Sequence, residues 1–482
     1  MQVSCSHNRR IIMAKESQAD QLRTSFRGPL FTKRDTGYDD ARKLYNGMID
    51  KHPSIIAQCV DVADVIAAVN LGRDSGLPIA IRGGGHSGPG LGSIDDGLVI
   101  DLGRMKGIRV DPKARTVHVQ GGCTWGDVDH ATHPFGLAAP GGFVSTTGVA
   151  GLTLGGGIGY LSRSVGLTVD SLISADIVLA DGRFVTASEK ENKDLFWAIR
   201  GGGGNFGVVT SFEFRLHQVN SVYGGPMLWP IDQSREIMKK WRDYVLKAPE
   251  EISGWFGMMI VPPAAPFPEE FHLKKMCTIV WCDRGNGDQV KKRFTNIQKE
   301  FGKPAIDFTG PIPWPALQTL FDDLLAPGLQ WYWKSDFIKE ITDEAIDLHV
   351  KHGEKIPTTL STVHFYPING AVHKVGKKDT SFGYRDANFV QMIGAIDPDP
   401  SNNDRMISWA RNYFDEVHPY SAGGSYINMT MDSDQEQVRL AYRDNYERLV
   451  TVKDKYDPLN LFHINLNIKP SESKEGVAKK HR

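Results

Sequence analysis

Residues 82–90 read RGGGHSGPG and set one histidine, His86, inside a run of glycines. Glycine runs mark backbone that bends sharply or lies against a ligand, so an imidazole held there is a candidate for chemistry. Two further glycine-rich segments follow, TTGVAGLTLGGGIGY at 146–160 and RGGGGNFG at 200–207. Unpaired backbone N–H groups in such loops form anion-binding concavities without needing lysine or arginine. Three of them close together in the chain predict amides converging on an extended anionic ligand, and a dinucleotide with its pyrophosphate fits. GGGNFG at 202–207 formally satisfies GxGxxG, but that fingerprint requires a strand before it and a helix after it. Here the helical stretch NKDLFWAIR precedes and the strand-like VVTSFEFRL follows, so a Rossmann site is not expected.

Stepping outward from His86, SIIAQCV reads as a strand, Asp61 as a helix N-cap, VADVIAAVNLGRDSG as a helix stopped by Gly76, and LPIAIR as the next strand. The histidine loop therefore lies at the carboxyl end of a strand in a β-α-β unit, a usual ligand position. GLVIDL, TVHVQGG and DIVLADGRFVTAS give further short strands, with Asp181-Gly182 expected as a two-residue hairpin turn. From about residue 220 the texture changes. SREIMKKWRDYVL is an amphipathic helix, and MCTIVWC and TLSTVHFYPI predict an antiparallel sheet with one covered face. A helix over 434–450 precedes DPLNLFHINLNIKP.

The chain of 482 residues is long enough for two or three domains. Fifty-six Lys and Arg balance 57 Asp and Glu, which leaves no basic footprint for nucleic acid or an anionic membrane. No apolar run reaches the roughly 18 residues of a membrane span, and the N-terminus has no apolar stretch long enough for a signal peptide. Cys5, Cys59, Cys123, Cys277 and Cys282 are odd in number and lack CxxC spacing, so neither a disulfide framework nor a metal site is expected. Reduced, mostly buried thiols in a cytoplasmic protein are the expectation. Met13 is an alternative start, with the first twelve residues and the tail ESKEGVAKKHR expected to be disordered.

In order and spacing, IRGGGHS, GGCTWGDV, GGFVSTTGVAGLTLGGGIGYLSRSVGLTVD, LFWAIRGGGGNFGVVTSFEFRL and YDPLNLFHINLNI resemble the berberine-bridge-enzyme-like FAD-linked oxidases of the vanillyl-alcohol oxidase superfamily. The likeness runs over roughly residues 40 to 470, and bacterial members look closest in length. It implies an α+β protein. A two-subdomain FAD-binding domain of the p-cresol methylhydroxylase type would span 31–216, after an extended or disordered 1–30. An antiparallel-sheet substrate domain flanked by helices would span 217–424, a berberine-bridge-like return to the first domain 425–470, and a flexible tail 471–482.

The resemblance also implies roles. His86 matches the family's histidine that bonds covalently to the flavin, with Arg82, Gly83, Gly84, Gly85 and Ser87 around the pyrophosphate. Ser145, Thr146, Thr147, Gly148, Gly151, Leu152, Gly156, Gly157 and Gly159 carry over as cofactor contacts, as do Gly207, Val208, Val209, Asn465 and Asn467. Many members carry a second tether from a cysteine. Val144 occupies that place here, so a single link through His86 is expected. SYINMTM (425–431) resembles the family's Y-x-N motif, which makes Tyr426 the candidate base and Asn428 its hydrogen-bonding partner. A phenol ordinarily titrates near 10, so it needs stabilisation as phenolate or concerted proton loss. On the strand around 360–367, alternation puts Thr362, His364 and Tyr366 on one face and Ser361, Val363 and Phe365 on the other. The polar set is the better lining for a substrate cavity.

The implied activity is hydride removal from a C–OH or C–N carbon of a small molecule (sugar, alcohol or secondary metabolite), with dioxygen reduced to hydrogen peroxide. Thr147, near the oxygen-reacting face in the family, neither opens nor blocks oxygen access by its size, so a dehydrogenase with another acceptor is the alternative. A catalytically silent flavin-binding protein is the second alternative.

Overall fold

The computed structural model describes residues 19–20, 22–285, 287–431 and 434–471. The first twelve residues, Cys5 and the tail ESKEGVAKKHR lie outside the described residues. The expected extended N-terminus is corrected over its described part. Ala19, Leu22, Phe26 and Leu30 are buried in one core with Val65, Val69 and Ile79, because their apolar spacing gives the chain a face to pack.

The β-α-β unit expected from the sequence is present. Asp61 accepts from the Asp64 N–H and caps the helix Val62–Ser75, and Gly76 closes it in the left-handed conformation. Strands Ile55–Gln58 and Ile79–Arg82 flank Leu98–Asp101, both parallel to it, and Leu30–Phe31 adds antiparallel at the edge. A second, antiparallel sheet runs Ile108–Asp111, Thr116–Gln120, Val208–Arg215, Leu172–Val178, Phe184–Ser188. Its last hairpin corrects the expected two-residue turn. Leu179 N–H donates to Arg183 O and Gly182 N–H to Leu179 O, so the loop has three residues, with Gly182 at φ 84°. Three-residue loops of this kind place a left-handed residue last, which glycine takes without strain.

The third sheet is antiparallel, in the order Ile306–Asp307, Ser221–Pro230, Lys275–Asp283, Ile252–Ile260, Thr362–Pro367, Phe389–Asp397, Gln330–Ile338, with Gly310–Pro313 also paired to Ser221–Pro230. Amphipathic helices Ser234–Lys247, Gly287–Phe301, Asp343–Gly353 and Asn403–Val417 bury Trp241, Phe294, Ile346 and Met406 on one face, against Phe256, Phe365 and Ile393. The expectation of one covered face is corrected here. Lys275–Asp283 is buried on both faces after its first residue, because Val280, Cys282, Trp331 and Phe337 pack against Ile158, Tyr160 and Leu167 of the glycine-rich region.

Two buried arginines fix that junction. Arg385 makes a bidentate pair with Asp170 at 2.7 Å through each nitrogen. Arg163 donates to Asn369 Oδ1 at 2.7 Å, Ala248 O at 3.0 Å and the Ile252 carbonyl. The helix expected over 434–450 is two helices, Gln435–Tyr442 and Tyr446–Tyr456. They break at Arg443 (φ 49°), whose guanidinium is drawn to Asp386 at 2.7 Å and stacks over Tyr384. No helix among the described residues is long and apolar enough to cross a membrane.

Candidate active site

One cleft of about 350 Å3 opens between the glycine-rich region and the inner face of the third sheet. The strand Ile79–Arg82 delivers residues 83–87 into it. Arg82 lines the cleft, but its guanidinium is committed elsewhere, donating to Asp101 at 3.1 Å, Ala41 O at 2.8 Å and Lys43 O at 3.2 Å. It braces the base of the loop. Beyond it Gly84 lies so close to Gly148 that a Cβ on either would stand 2.5 or 2.4 Å from the other's backbone. The N–H groups of Gly84, Gly85, His86 and Ser87 have no acceptor among the described residues. Such a nest suits a phosphate oxygen.

His86 sits at the mouth of this nest. Its Nε2 lies 3.0 Å from Thr146 Oγ1, and Tyr45 stacks on its ring with centroids 3.8 Å apart. Burial pulls its pKa down to about 4, so the imidazole is neutral at physiological pH.

Tyr426, 2% exposed, enters from the C-terminal segment. Its oxygen accepts from Gly157 N–H at 3.1 Å and Asn428 Nδ2 at 2.9 Å. Burial pushes its pKa up to about 12, while Asn428 and the amides of Gly157 and Ile158 pull the other way. Asn428 also donates to Leu152 O at 3.0 Å, which holds its amide in register with the phenol.

The strand Thr362–Pro367 brings its polar face together as the alternation required. Thr362 Oγ1 donates to Met258 O at 2.9 Å and lies 2.9 Å from His364 Nε2, while His364 Nδ1 lies 2.7 Å from Tyr366 Oη. Burial lowers the His364 pKa to about 3 and raises that of Tyr366. Val363 and Phe365 face the helices.

Gly83, Gly84, Gly85, His86 and Ser87 line the cleft with Thr147, Gly148, Gly151, Leu152, Gly207, Val209 and Asn465. So do Thr362, His364, Tyr366, Tyr426 and Asn428. Other residues singled out in the sequence lie behind this wall. Ser145 donates to Asp322, and Thr146 reaches the cleft only through His86. Gly156, Gly157 and Gly159 pack against Phe382, Thr168 and the Gly141 carbonyl. Val208 is buried in the ladder opposite Val178, and Asn467 presents a buried, unpartnered Oδ1. Sequence reasoning missed Tyr45, Phe143, Leu325, Trp331 and Trp333, all of which line the cleft. Phe143 lies within the GGFVSTTG segment, while no motif marks the other four, which reach the cleft from distant strands and loops.

The cleft fits a dinucleotide. The nest amides are unpaired, the Gly84–Gly148 contact clears room that a side chain would fill, and Asn465, which also lines the cleft, has a buried Oδ1 without a partner among the described residues. Comparison with known proteins agrees. Residues 53–188 match the family model described as an FAD binding domain, and residues 425–469 match that described as berberine and berberine like. An FAD-linked oxidoreductase of Dictyostelium discoideum is 33% identical over 454 residues, spanning 93% of this chain and 96% of that protein. The glucooligosaccharide oxidase of Sarocladium strictum is 27% identical, spanning 90% of this chain and 91% of that protein. The crystal structure of 6-hydroxy-D-nicotine oxidase from Arthrobacter nicotinovorans superposes with a TM-score of 0.83 at 25% identity, covering 93% of this chain and 99% of that one. Cleft, fold and relatives together assign the chain to the berberine-like family of FAD-linked oxidoreductases.

Proposed function

We propose that this enzyme oxidises a C–OH or C–N carbon of a small molecule, with Tyr426 taking the heteroatom proton as hydride departs. Bound FAD supplies the two-electron acceptor. One observation carries the reading: the Tyr426 oxygen accepts hydrogen bonds from Asn428 Nδ2 and the Gly157 amide inside the cleft. Donors aimed at a phenolic oxygen stabilise its anion, which is what a tyrosine base needs. His364 is a poor candidate for the base, because burial disfavours its protonated form. It orients Tyr366 instead.

His86 is the proposed covalent anchor for the flavin, and its neutral, Thr146-supported imidazole suits that role. Val144 lines the cleft where a second, cysteinyl tether would stand, in keeping with a single link. The cofactor-binding part is proposed as 31–216 with the return segment 425–470, and the substrate part as 217–424. Dioxygen is the proposed final acceptor.

Tyr426→Phe tests the reading. The limiting rate of anaerobic flavin bleaching by a true substrate should fall about 10²–10⁴-fold, the usual worth of a positioned base. An unchanged rate would remove Tyr426 from the chemistry. Reoxidation of the reduced enzyme in air separates an oxidase from a dehydrogenase that uses another acceptor.

A further inference from the structure

The cleft that would hold the substrate carries almost no charge. Arg82 is the one residue of the Arg, Lys, Asp and Glu types among its described lining residues, and its Nη1 and Nη2 donate to Asp101 and two carbonyls. The two lining histidines, His86 and His364, are both held neutral by burial. The sheet-side wall is aromatic. Phe143 stacks on Tyr366 with centroids 4.2 Å apart, Trp331 and Trp333 meet edge-on at 5.6 Å, and Trp255 covers His364 at 4.3 Å.

The few polar groups of this wall have fixed directions. A carbonyl can only accept, so Thr362 spends its one proton on Met258 O. Its oxygen must then accept from His364 Nε2–H, which leaves Nδ1 to accept from the Tyr366 hydroxyl. Tyr366 therefore commits its proton to His364 and can offer a ligand only lone pairs. The indole nitrogens of Trp331 and Trp333, on residues 3% and 9% exposed, are covered and offer the cleft no donor, and that of Trp333 lies against Gly88. The wall thus provides one oriented acceptor on aromatic surface. A carboxylate or ammonium would be desolvated with no counter-charge, and most hydroxyls of an oligosaccharide would find no partner, both costly.

Resting on the oxidoreductase reading above, we infer that the substrate is an uncharged aromatic molecule. It carries a hydroxyl or N–H that donates to Tyr366. Charged aromatics and oligosaccharides are rejected by the same wall.

The test uses the flavin-loaded enzyme and three probes: 2-naphthalenemethanol, its 6-carboxylate analogue, and cellobiose. Binding is read by quenching of tryptophan fluorescence, and turnover by anaerobic flavin bleaching. The neutral alcohol should bind saturably, the carboxylate at least about tenfold more weakly, as expected for burying an unpaired charge, and cellobiose without saturation. Cellobiose or the carboxylate binding as tightly as the alcohol would overturn the inference, as would absence of saturable binding by the alcohol. Tyr366→Phe keeps the ring against Phe143, so it should weaken 2-naphthalenemethanol roughly fivefold, the worth of one neutral hydrogen bond. It should leave 2-methylnaphthalene, which has no donor, unchanged. Equal losses for both ligands would refute the acceptor role. Efficient bleaching by cellobiose would sink this inference while leaving the oxidoreductase reading intact. Tight aromatic binding with no bleaching by any alcohol would support the pocket chemistry and count against Tyr426 as the base.

Discussion

Replacing Asn428 with alanine removes one donor, at 2.9 Å, from the Tyr426 oxygen and leaves the phenol in place. Burial holds that phenol near a pKa of 12, so at pH 7 it is overwhelmingly protonated. If the phenolate takes the substrate proton, the rate of flavin bleaching should climb about tenfold per pH unit between pH 6 and 10 without a plateau. A hydrogen bond to a charged oxygen is worth about 1.5–3 kcal/mol, or roughly one to two pKa units at 1.36 kcal/mol each. The Gly157 amide keeps its own bond to the oxygen, so the site is weakened but not abolished. Asn428→Ala should therefore lower the rate at fixed pH by about 10–100-fold while keeping the slope. The assay is anaerobic stopped-flow bleaching of the flavin absorbance, wild type against variant, across that pH range. A wild-type plateau below pH 8, or a variant within twofold of wild type, would refute the reasoning.

Two further outcomes follow from the packing. Gly84→Ala drives a Cβ to 2.5 Å from the Gly148 backbone, so the purified variant should carry well under half the wild-type flavin per chain by absorbance; a full complement would show that the nest has more room than its geometry allows. Asp129, 2% exposed, bonds Trp314 Nε1 at 2.7 Å, and burial raises its pKa to about 7. A raised folded pKa stabilises at low pH, and that stability is lost as pH climbs from the unfolded value near 4 through 7. Wild type should then lose thermal stability between pH 5.5 and 8.5, and Asp129→Asn should lose less of it. Identical pH dependence in the two proteins would contradict the assignment.

What the sequence could show here was local. Asp61 and Gly76 bound a helix because caps are read within one turn of the chain. Thr362, His364 and Tyr366 share a face because a strand alternates, and the structure links them in one hydrogen-bonded row. What it could not show was set by distant contacts. Tyr45 stacks on His86 from 41 residues upstream in the chain, and its hydroxyl donates to the Leu325 carbonyl, from a loop no motif marks. Trp331 and Trp333 read in the sequence as core or pocket lining alike, and only the sheet order brings them to the cleft. The break at Arg443 was hidden for a related reason. Asp386, far away in sequence, holds the guanidinium while the backbone takes a left-handed turn that a helix-forming sequence does not announce. The glycines divided the same way. Those at 83–85 line the cleft, whereas Gly156 and Gly159 serve packing that spacing alone does not distinguish.

The central claim, that this cleft seats FAD with His86 as its anchor, is met most directly by mass spectrometry of acid-denatured, trypsin-digested protein. Cleavage after Arg82 and Arg104 releases the peptide 83–104, in which His86 is the one histidine. This peptide should carry the flavin mass, located at His86 by fragmentation. An unmodified 83–104 peptide, with all the flavin free in the acid supernatant, would contradict it.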